Sequence, residues 1–132
     1  MTPKTARVLD VGQCGPDHLM ISRMLRAHFD VEVDAAADVA QAIQALRRSD
    51  YTLVLVNRLI DGGGGEGLHL VRETRQDEQL SSIPIMLVSN LEDAQTAAVQ
   101  AGAVRGFGKS ALGAAATMDR LAEYLPPKDA DR

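Results

Sequence analysis

The stretch YTLVLVNRLIDGGGG, residues 51–65, decides the fold of this chain. Its apolar run TLVLV, residues 52–56, carries hydrophobic side chains at both alternating sets of positions, which is typical of a strand covered by helices on two sides. Asn57 ends the run, and a glycine-rich loop follows it. The stretch therefore predicts a central strand of a parallel sheet, with a polar side chain at its carboxyl end.

Four further apolar runs have the length of strands, and helical patterns separate them. The five predicted strands are RVLDV at 7–11, VEVDA at 31–35, TLVLV at 52–56, IMLVS at 85–89 and VRGF at 104–107. Because parallel strands are joined by right-handed helical crossovers, this alternation predicts an α/β fold with a doubly wound five-stranded parallel sheet. We expect the flavodoxin-like (βα)5 order 2-1-3-4-5. The predicted core comprises Leu9, Val11, Leu53, Leu55, Ile85, Leu87 and Val88.

Polar residues in front of helical patterns predict where helices begin. Asp38 is placed to cap the second helix. Asn90 is the predicted cap of a fourth helix over residues 92–101, and Ser110 is the predicted cap of a fifth helix over residues 112–125.

Two prolines mark the end of the predicted domain. Pro126 and Pro127 cannot continue the fifth helix, because proline lacks the backbone N–H that a helix needs. The sequence therefore predicts one domain over residues 1–125 and a loose C-terminal tail over residues 126–132.

Composition narrows the classes of function. The 132 residues carry a net charge of −4, which disfavours binding to nucleic acid or to an anionic membrane surface. Aromatic residues make up 3% of the chain, too few for a platform on which bases stack. The single cysteine, Cys14, cannot form an internal disulfide. These features predict a cytoplasmic protein.

Five residues follow the carboxyl ends of predicted strands, where open parallel sheets gather their binding groups. They are Gly12 and Gln13 after the first strand, Asn57 after the third, Ser89 after the fourth and Lys109 after the fifth.

At these positions the chain resembles the receiver domain of two-component response regulators. The resemblance extends from Arg7 to Leu125, and it is most specific in the segments IPIMLVSN and AGAVRGFGK and in VNRLIDGGGGEGLHLVR. In that family an acidic pair after the first strand and an acceptor aspartate bind Mg²⁺. A serine or threonine and a lysine then hold the phosphoryl oxygens.

The resemblance implies that several positions of the phosphoacceptor site have changed. Gly12 and Gln13 stand at the acidic pair and Asn57 at the acceptor, whereas Ser89 and Lys109 retain the family's residue types. An amide is not a nucleophile for phosphoryl transfer, and Mg²⁺ needs a shell of hard, mostly anionic oxygens. We therefore predict a domain without a catalytic residue, a metal or a cofactor. A carboxylate cluster would need Lys109 as a counter-ion, whereas the amide of Asn57 can hydrogen-bond the same ammonium without a charge of its own.

A sixth position concerns signalling. The family's aromatic switch residue in the fifth strand corresponds to Gly106. The side-chain rotation that would report phosphorylation is therefore missing. The resemblance implies a receiver-like signalling domain that is not phosphorylated and works through contact with other proteins.

Two alternatives remain open at this point. A conventional receiver could use Asp61 or Asp10 as an unusual acceptor. A small hydrolase or nucleotide-binding enzyme could use the loop GGGGEG at 62–67, although it lacks the lysine of a phosphate-binding loop and a Ser-His-Asp arrangement. Asp10 is also readable as a structural carboxylate paired with Arg58 or with backbone donors, because a buried carboxylate is costly unless it is paired.

The three histidines, His18, His28 and His69, lie apart without the spacing of metal ligands. We expect them at the surface or at its boundary.

The resemblance also implies a partner surface, formed by the fourth helix, the fifth strand and the fifth helix. Small residues occur along it, some packed inward and others exposed: Ala94, Ala97, Ala98, Gly113, Ala114 and Ala115. Small side chains bury little area each, so we expect a transient protein partner or a weak homodimer. On this interpretation Ala98→Arg weakens partner binding and leaves the thermal midpoint unchanged.

Overall fold

Five parallel strands form the centre of the computed structural model, which describes residues 5–128. The strands are β1 (Ala6–Val11), β2 (Val31–Ala36), β3 (Leu53–Asn57), β4 (Ile85–Val88) and β5 (Val104–Phe107). Their order in the sheet is β2-β1-β3-β4-β5, and each pair of neighbours is parallel. The predicted fold class and strand order are confirmed.

Five α-helices cover both faces of this sheet. They are α1 (Gly15–His28), α2 (Val39–Arg48), α3 (Leu68–Arg75), α4 (Glu92–Gln100) and α5 (Ala115–Ala122). Residues of α1 and α5 share one apolar cluster with one face of the sheet, and residues of α2, α3 and α4 share a second cluster with the other face. All seven residues predicted for the core are buried. No helix within residues 5–128 is long and apolar enough to cross a membrane.

The predicted helix caps have mixed outcomes. Oδ1 of Asp38 accepts a hydrogen bond from the backbone N–H of Gln41 at 2.9 Å, which confirms that cap. Asn90 does not cap α4, which begins after Leu91. Its Oδ1 instead accepts hydrogen bonds from the backbone N–H and the hydroxyl of Ser110, at 3.1 and 2.9 Å. Asn90 therefore ties the loop after β4 to the loop after β5.

The predicted start of the fifth helix was also wrong. Residues Lys109–Ala111 form a short 3-10 helix, and α5 begins only at Ala115. Ser110 lies within that 3-10 helix, where its backbone and hydroxyl are bound to Asn90, so it is not the cap of α5.

The glycine-rich loop after β3 closes into a small hairpin. Leu59 pairs with Glu66 in an antiparallel bridge, and the N–H of Ile60 donates to the carbonyl of Gly65 at 2.8 Å. Gly67 completes the closure, because a Cβ at that position would overlap the backbone carbonyl of Asn57. The loop is therefore held against the end of β3, beside the candidate site.

The chain beyond α5 runs back along the start of β2. The N–H of Asp30 donates to the carbonyl of Pro126 at 3.0 Å, and the N–H of Lys128 donates to the carbonyl of His28 at 3.1 Å. Residues 126–128 are thus joined through their backbone to residues 28–30. The rest of the predicted tail, residues 129–132, lies outside the described residues.

Candidate functional site

A cleft of about 340 Å³ opens at the carboxyl ends of β3 and β4. Asn57, Ser89 and Lys109 all line it, so the fold brings together three of the residues predicted to share a site. The cleft is completed by Arg58, Leu59, Val88, Asn90 and Leu91. Both leucines are about half exposed, at 50% and 53%.

A larger surface cavity of about 470 Å³ lies at the amino ends of β1 and β3, which are the opposite ends of the strands from the cleft. Three arginines line it, Arg7, Arg47 and Arg48. Arg7 contacts Asp34 at 2.6 Å, and Arg47 pairs with Asp77. The cleft is the candidate site, because it brings together three of the residues predicted to share one.

The side chain of Asn57 ties the end of β3 to the end of β1. Its Nδ2 donates to the carbonyl of Gly12 at 3.2 Å, and the same carbonyl accepts the backbone N–H of Asp61 at 2.9 Å. A carbonyl oxygen can only accept, which fixes the orientation of the amide. An ionised aspartate at position 57 could not donate this bond.

Lys109 does not form the hydrogen bond with Asn57 that the sequence allowed. Its Nζ lies 2.7 Å from Oδ2 of Asp17, a residue of α1, and both side chains are about 30% exposed. The ammonium of Lys109, and after it the thiol of Cys14, hold the pKa of the Asp17 carboxyl below its usual value. The ammonium of Lys109 is therefore neutralised by a carboxylate that sequence reasoning did not assign to the site.

Ser89 serves the turn that leads into α4. Its Oγ accepts a hydrogen bond from the backbone N–H of Leu91 at 3.1 Å. The O–H of Ser89 donates to no acceptor within residues 5–128. The hydroxyl lines the cleft and can donate one hydrogen bond to a group there.

The positions of the family's acidic pair do not fit Mg²⁺. Gly12 has no side chain, and its φ of 77° lies in the left-handed region. The amide atoms of Gln13 are buried and form no hydrogen bond of normal geometry within residues 5–128, although the amide lies close enough to Asp10 to lower the pKa of that carboxyl. In the same part of the chain no group of three His, Cys, Asp or Glu side chains could hold a metal ion. We derive no step through a metal at this site.

Asp10 is paired with His18, not with Arg58 as the sequence suggested. The Asp10 side chain is fully buried, and its Oδ2 lies 2.7 Å from Nδ1 of His18, which is 28% exposed at the surface boundary. Burial raises the pKa of Asp10 to about 6, although His18 opposes that rise. Neither Asp10 nor Asp61 lines the cleft that contains Ser89 and Lys109.

The buried Asp10 carboxyl gives a prediction about pH. The folded protein holds this proton more tightly than the unfolded chain, where the pKa is 3.8, so the contribution of Asp10 to stability should fall as the pH rises from about 4 to about 6. Asp10→Asn removes this contribution, and its stability relative to wild type should rise across that window by on the order of 2–3 kcal/mol. Urea unfolding at several pH values measures the difference.

The exposed carboxylate of Asp61 provides the control for this pH series. Asp61→Asn should leave the wild-type slope between pH 4 and 6 unchanged. Parallel slopes for Asp10→Asn and wild type would contradict the assignment to Asp10.

Gly106 lies outside the cleft, in β5. A Cβ at this position would overlap the carbonyl oxygen of Leu87 in β4, so the backbones of the two strands approach too closely for any larger residue. Gly106 contributes instead to a groove of about 200 Å³ between α4, β5 and α5, which Arg105, Ala114 and Arg120 also line. This groove lies on the surface predicted for a partner.

The small residues of that surface differ in exposure. Ala98 is fully buried, so it was wrong to treat it as an exposed residue, and Ala98→Arg should lower the thermal midpoint and not leave it nearly unchanged. The half-buried members are Ala94 and Ala97, and the exposed members are Gly113, Ala114 and Ala115. Of these six small residues, the exposed ones therefore lie at the start of α5 and directly before it.

Comparison with known proteins shows the fold of the chain. No protein-family profile matches it, and no curated protein matches it by sequence. Among solved structures, a candidate response regulator from Chloroflexus aurantiacus is 22% identical with a TM-score of 0.77, covering 92% of this chain and 98% of its own. The chemotaxis response regulator CheY4 of Vibrio cholerae is 20% identical with a TM-score of 0.71, covering 92% of this chain and 100% of its own.

A third similar structure is the signal receiver domain of a DNA-binding response regulator from Colwellia psychrerythraea. It is 18% identical with a TM-score of 0.72, and the match covers 89% of this chain and 98% of that one. The chain thus has the fold of response-regulator receiver domains.

Proposed function

We propose that this chain is a receiver-type signalling domain that is not phosphorylated and that acts through protein–protein contact. The observation that carries the proposal is the hydrogen bond from Asn57 Nδ2 to the Gly12 carbonyl. Position 57 carries an amide where a receiver needs a nucleophilic carboxylate. This amide joins the end of β3 to the end of β1. The remaining residues of the site, Ser89 and Lys109, hold phosphoryl oxygens in the family but cannot start the reaction.

The electrostatics of the cleft support the same conclusion. Phosphoryl transfer depends on cations that stabilise the negative charge on the phosphoryl oxygens in the transition state. These cations are usually Mg²⁺ and a lysine. Here Asp17 pairs with Lys109 at 2.7 Å, and Gly12 and Gln13 offer no carboxylate for a metal. A phosphoryl donor that reached the cleft would find no carboxylate nucleophile and no acidic pair that could hold Mg²⁺.

Binding to another protein is then the remaining output. We propose that the contact lies on the surface formed by α4, β5 and α5, where Gly113 and Ala114, directly before α5, and Ala115, its first residue, are exposed. Their small side chains favour a transient partner or a weak homodimer over an obligate dimer. The acidic net charge of −4 favours a protein partner over nucleic acid or membrane, in the cytoplasm.

A phosphorylation assay tests the proposal. The purified protein is incubated with acetyl phosphate and Mg²⁺, or with beryllofluoride and Mg²⁺, and its intact mass is measured beside a phosphorylatable receiver. We expect no adduct for wild type. We also expect none for Asn57→Asp, because the restored carboxylate still lacks an acidic pair that would hold the metal.

The position of any adduct decides between the alternatives. A stoichiometric phosphoryl adduct on wild type would overturn the proposal, and peptide mapping would show whether Asp61 or Asp10 had served as the acceptor. Efficient labelling of Asn57→Asp alone would show that the metal site does not need carboxylates at positions 12 and 13.

A further inference from the structure

Gln95 is a buried polar residue on the inner side of α4, with 3% of its surface exposed. Its Nε2 donates to the carbonyl of Leu87 at 2.9 Å and to the carbonyl of Ser89 at 3.1 Å. Its Oε1 accepts the backbone N–H of Gly106 at 2.9 Å. One side chain thus connects α4 to β4, to the turn after β4 and to β5.

The three partners determine the orientation of the amide. Two are carbonyls, which only accept, and the third is an N–H group, which only donates. A flipped amide would face each partner with the wrong group. The amide uses both of its N–H donors and its oxygen, as a buried polar group must if it is not to be destabilising.

The contact lies where the ladder between β4 and β5 is irregular. Met86 pairs with Val104 and Val88 pairs with Phe107, so the register shifts between the two pairs. Gly106 falls at the shift, and the absence of a Cβ lets its backbone approach Leu87. The amide of Gln95 binds two backbone groups at this irregularity, the carbonyl of Leu87 and the N–H of Gly106.

We propose that Gln95 is a positioning residue that locks α4 onto β4 and β5, so that the α4–β5–α5 surface is preformed and held in a single arrangement. The inference deepens the proposed function, because it concerns the surface assigned there to a protein partner. Movement of α4 away from β4 and β5 would break all three hydrogen bonds together. Gly106 occupies the position that carries a mobile aromatic side chain in receivers. Its backbone N–H is one of the three partners of Gln95.

Amide hydrogen exchange measured by NMR on the whole chain tests the lock without a partner or a phosphoryl donor. We compare wild type with Gln95→Met, which has a similar length and no polar group. The exchange rate of the Gly106 amide is divided by that of Leu55 in β3, which reports global unfolding. We expect this ratio to rise by about tenfold or more in the variant, since breaking buried hydrogen bonds opens the edge locally.

Thr74→Val is the matched control. The Thr74 hydroxyl is equally buried, but it donates within its own helix, to the carbonyls of Leu70 and Val71 at 3.0 Å. Its loss should lower global stability and leave the exchange ratio of Gly106 to Leu55 at the wild-type value. Conformational exchange in relaxation-dispersion spectra should appear on α4 and β5 in Gln95→Met and not in Thr74→Val.

An unchanged ratio in Gln95→Met, with no conformational exchange on α4, would overturn the inference. Should that variant fail to fold, Gln95→Asn replaces it, because an amide one methylene shorter cannot reach all three partners. The same two outcomes then apply. The result is independent of the phosphorylation assay, which tests the proposed function at Asn57.

Discussion

Replacing Gly12 by aspartate is expected to lower the free energy of unfolding by about 4 kcal/mol. The φ of Gly12 is 77°, where a side chain strains the backbone by about 1–3 kcal/mol. A Cβ there would lie 2.8 Å from Cγ1 of Ile60, and such overpacking costs a further 1–3 kcal/mol, roughly. A variant with aspartates at positions 12, 13 and 57 should therefore lose its fold before it gains a metal site.

Substitutions at two other glycines distinguish backbone strain from overpacking in urea unfolding experiments. Gly15→Asp adds the same charge three residues away, at a position with open space and no positive φ, and should stay within about 0.5 kcal/mol of wild type. Gly62→Asp meets only the φ of 76° and should fall between the two. If Gly12→Asp is as stable as Gly15→Asp, the carboxylates of a receiver could be restored here.

Ala98→Arg is expected to destabilise the domain by about 4 kcal/mol or more, which is a large share of the net stability of an ordinary domain. Ala98 is fully buried against the sheet, in the apolar cluster that contains Leu87. A guanidinium there would be desolvated without a partner, and the larger side chain would force α4 away from the strands. Circular dichroism during thermal unfolding measures the loss.

Ala114→Arg is the matched variant on the same surface. Ala114 is exposed directly before α5, so an arginine there should leave the thermal midpoint nearly unchanged. It is therefore the variant that tests partner binding. Equal thermal midpoints for Ala98→Arg and Ala114→Arg would mean that α4 does not pack as described.

Patterns local in sequence predicted the sheet and its core. The run from Leu53 to Val56 could only be a strand buried on both faces, and its side chains are all buried. Asp38 was recognised as a cap because a cap acts within three residues. The burial of Ala98 was not predictable in this way, since alanines on several sides of α4 leave no clear apolar stripe.

The polar contacts of the site depend on distant pairs. Lys109 and Asp17 are 92 residues apart, and a lysine alone gives no signal of which carboxylate it will meet. Asp10 and His18 are closer, at eight residues, but their contact needs the turn between β1 and α1 to place them together. The only signal in the sequence was a carboxylate within an otherwise apolar strand, which required some partner.

The pairing of the chain after α5 with the start of β2 has a mechanical consequence. Tension applied at Lys128 would first load the backbone hydrogen bonds that join residues 126–128 to residues 28–30, and only afterwards α5. Force would therefore enter the domain through the edge strand β2 and the end of α1. The cleft at the opposite ends of the strands and the α4–β5–α5 surface would be shielded from it until those bonds failed.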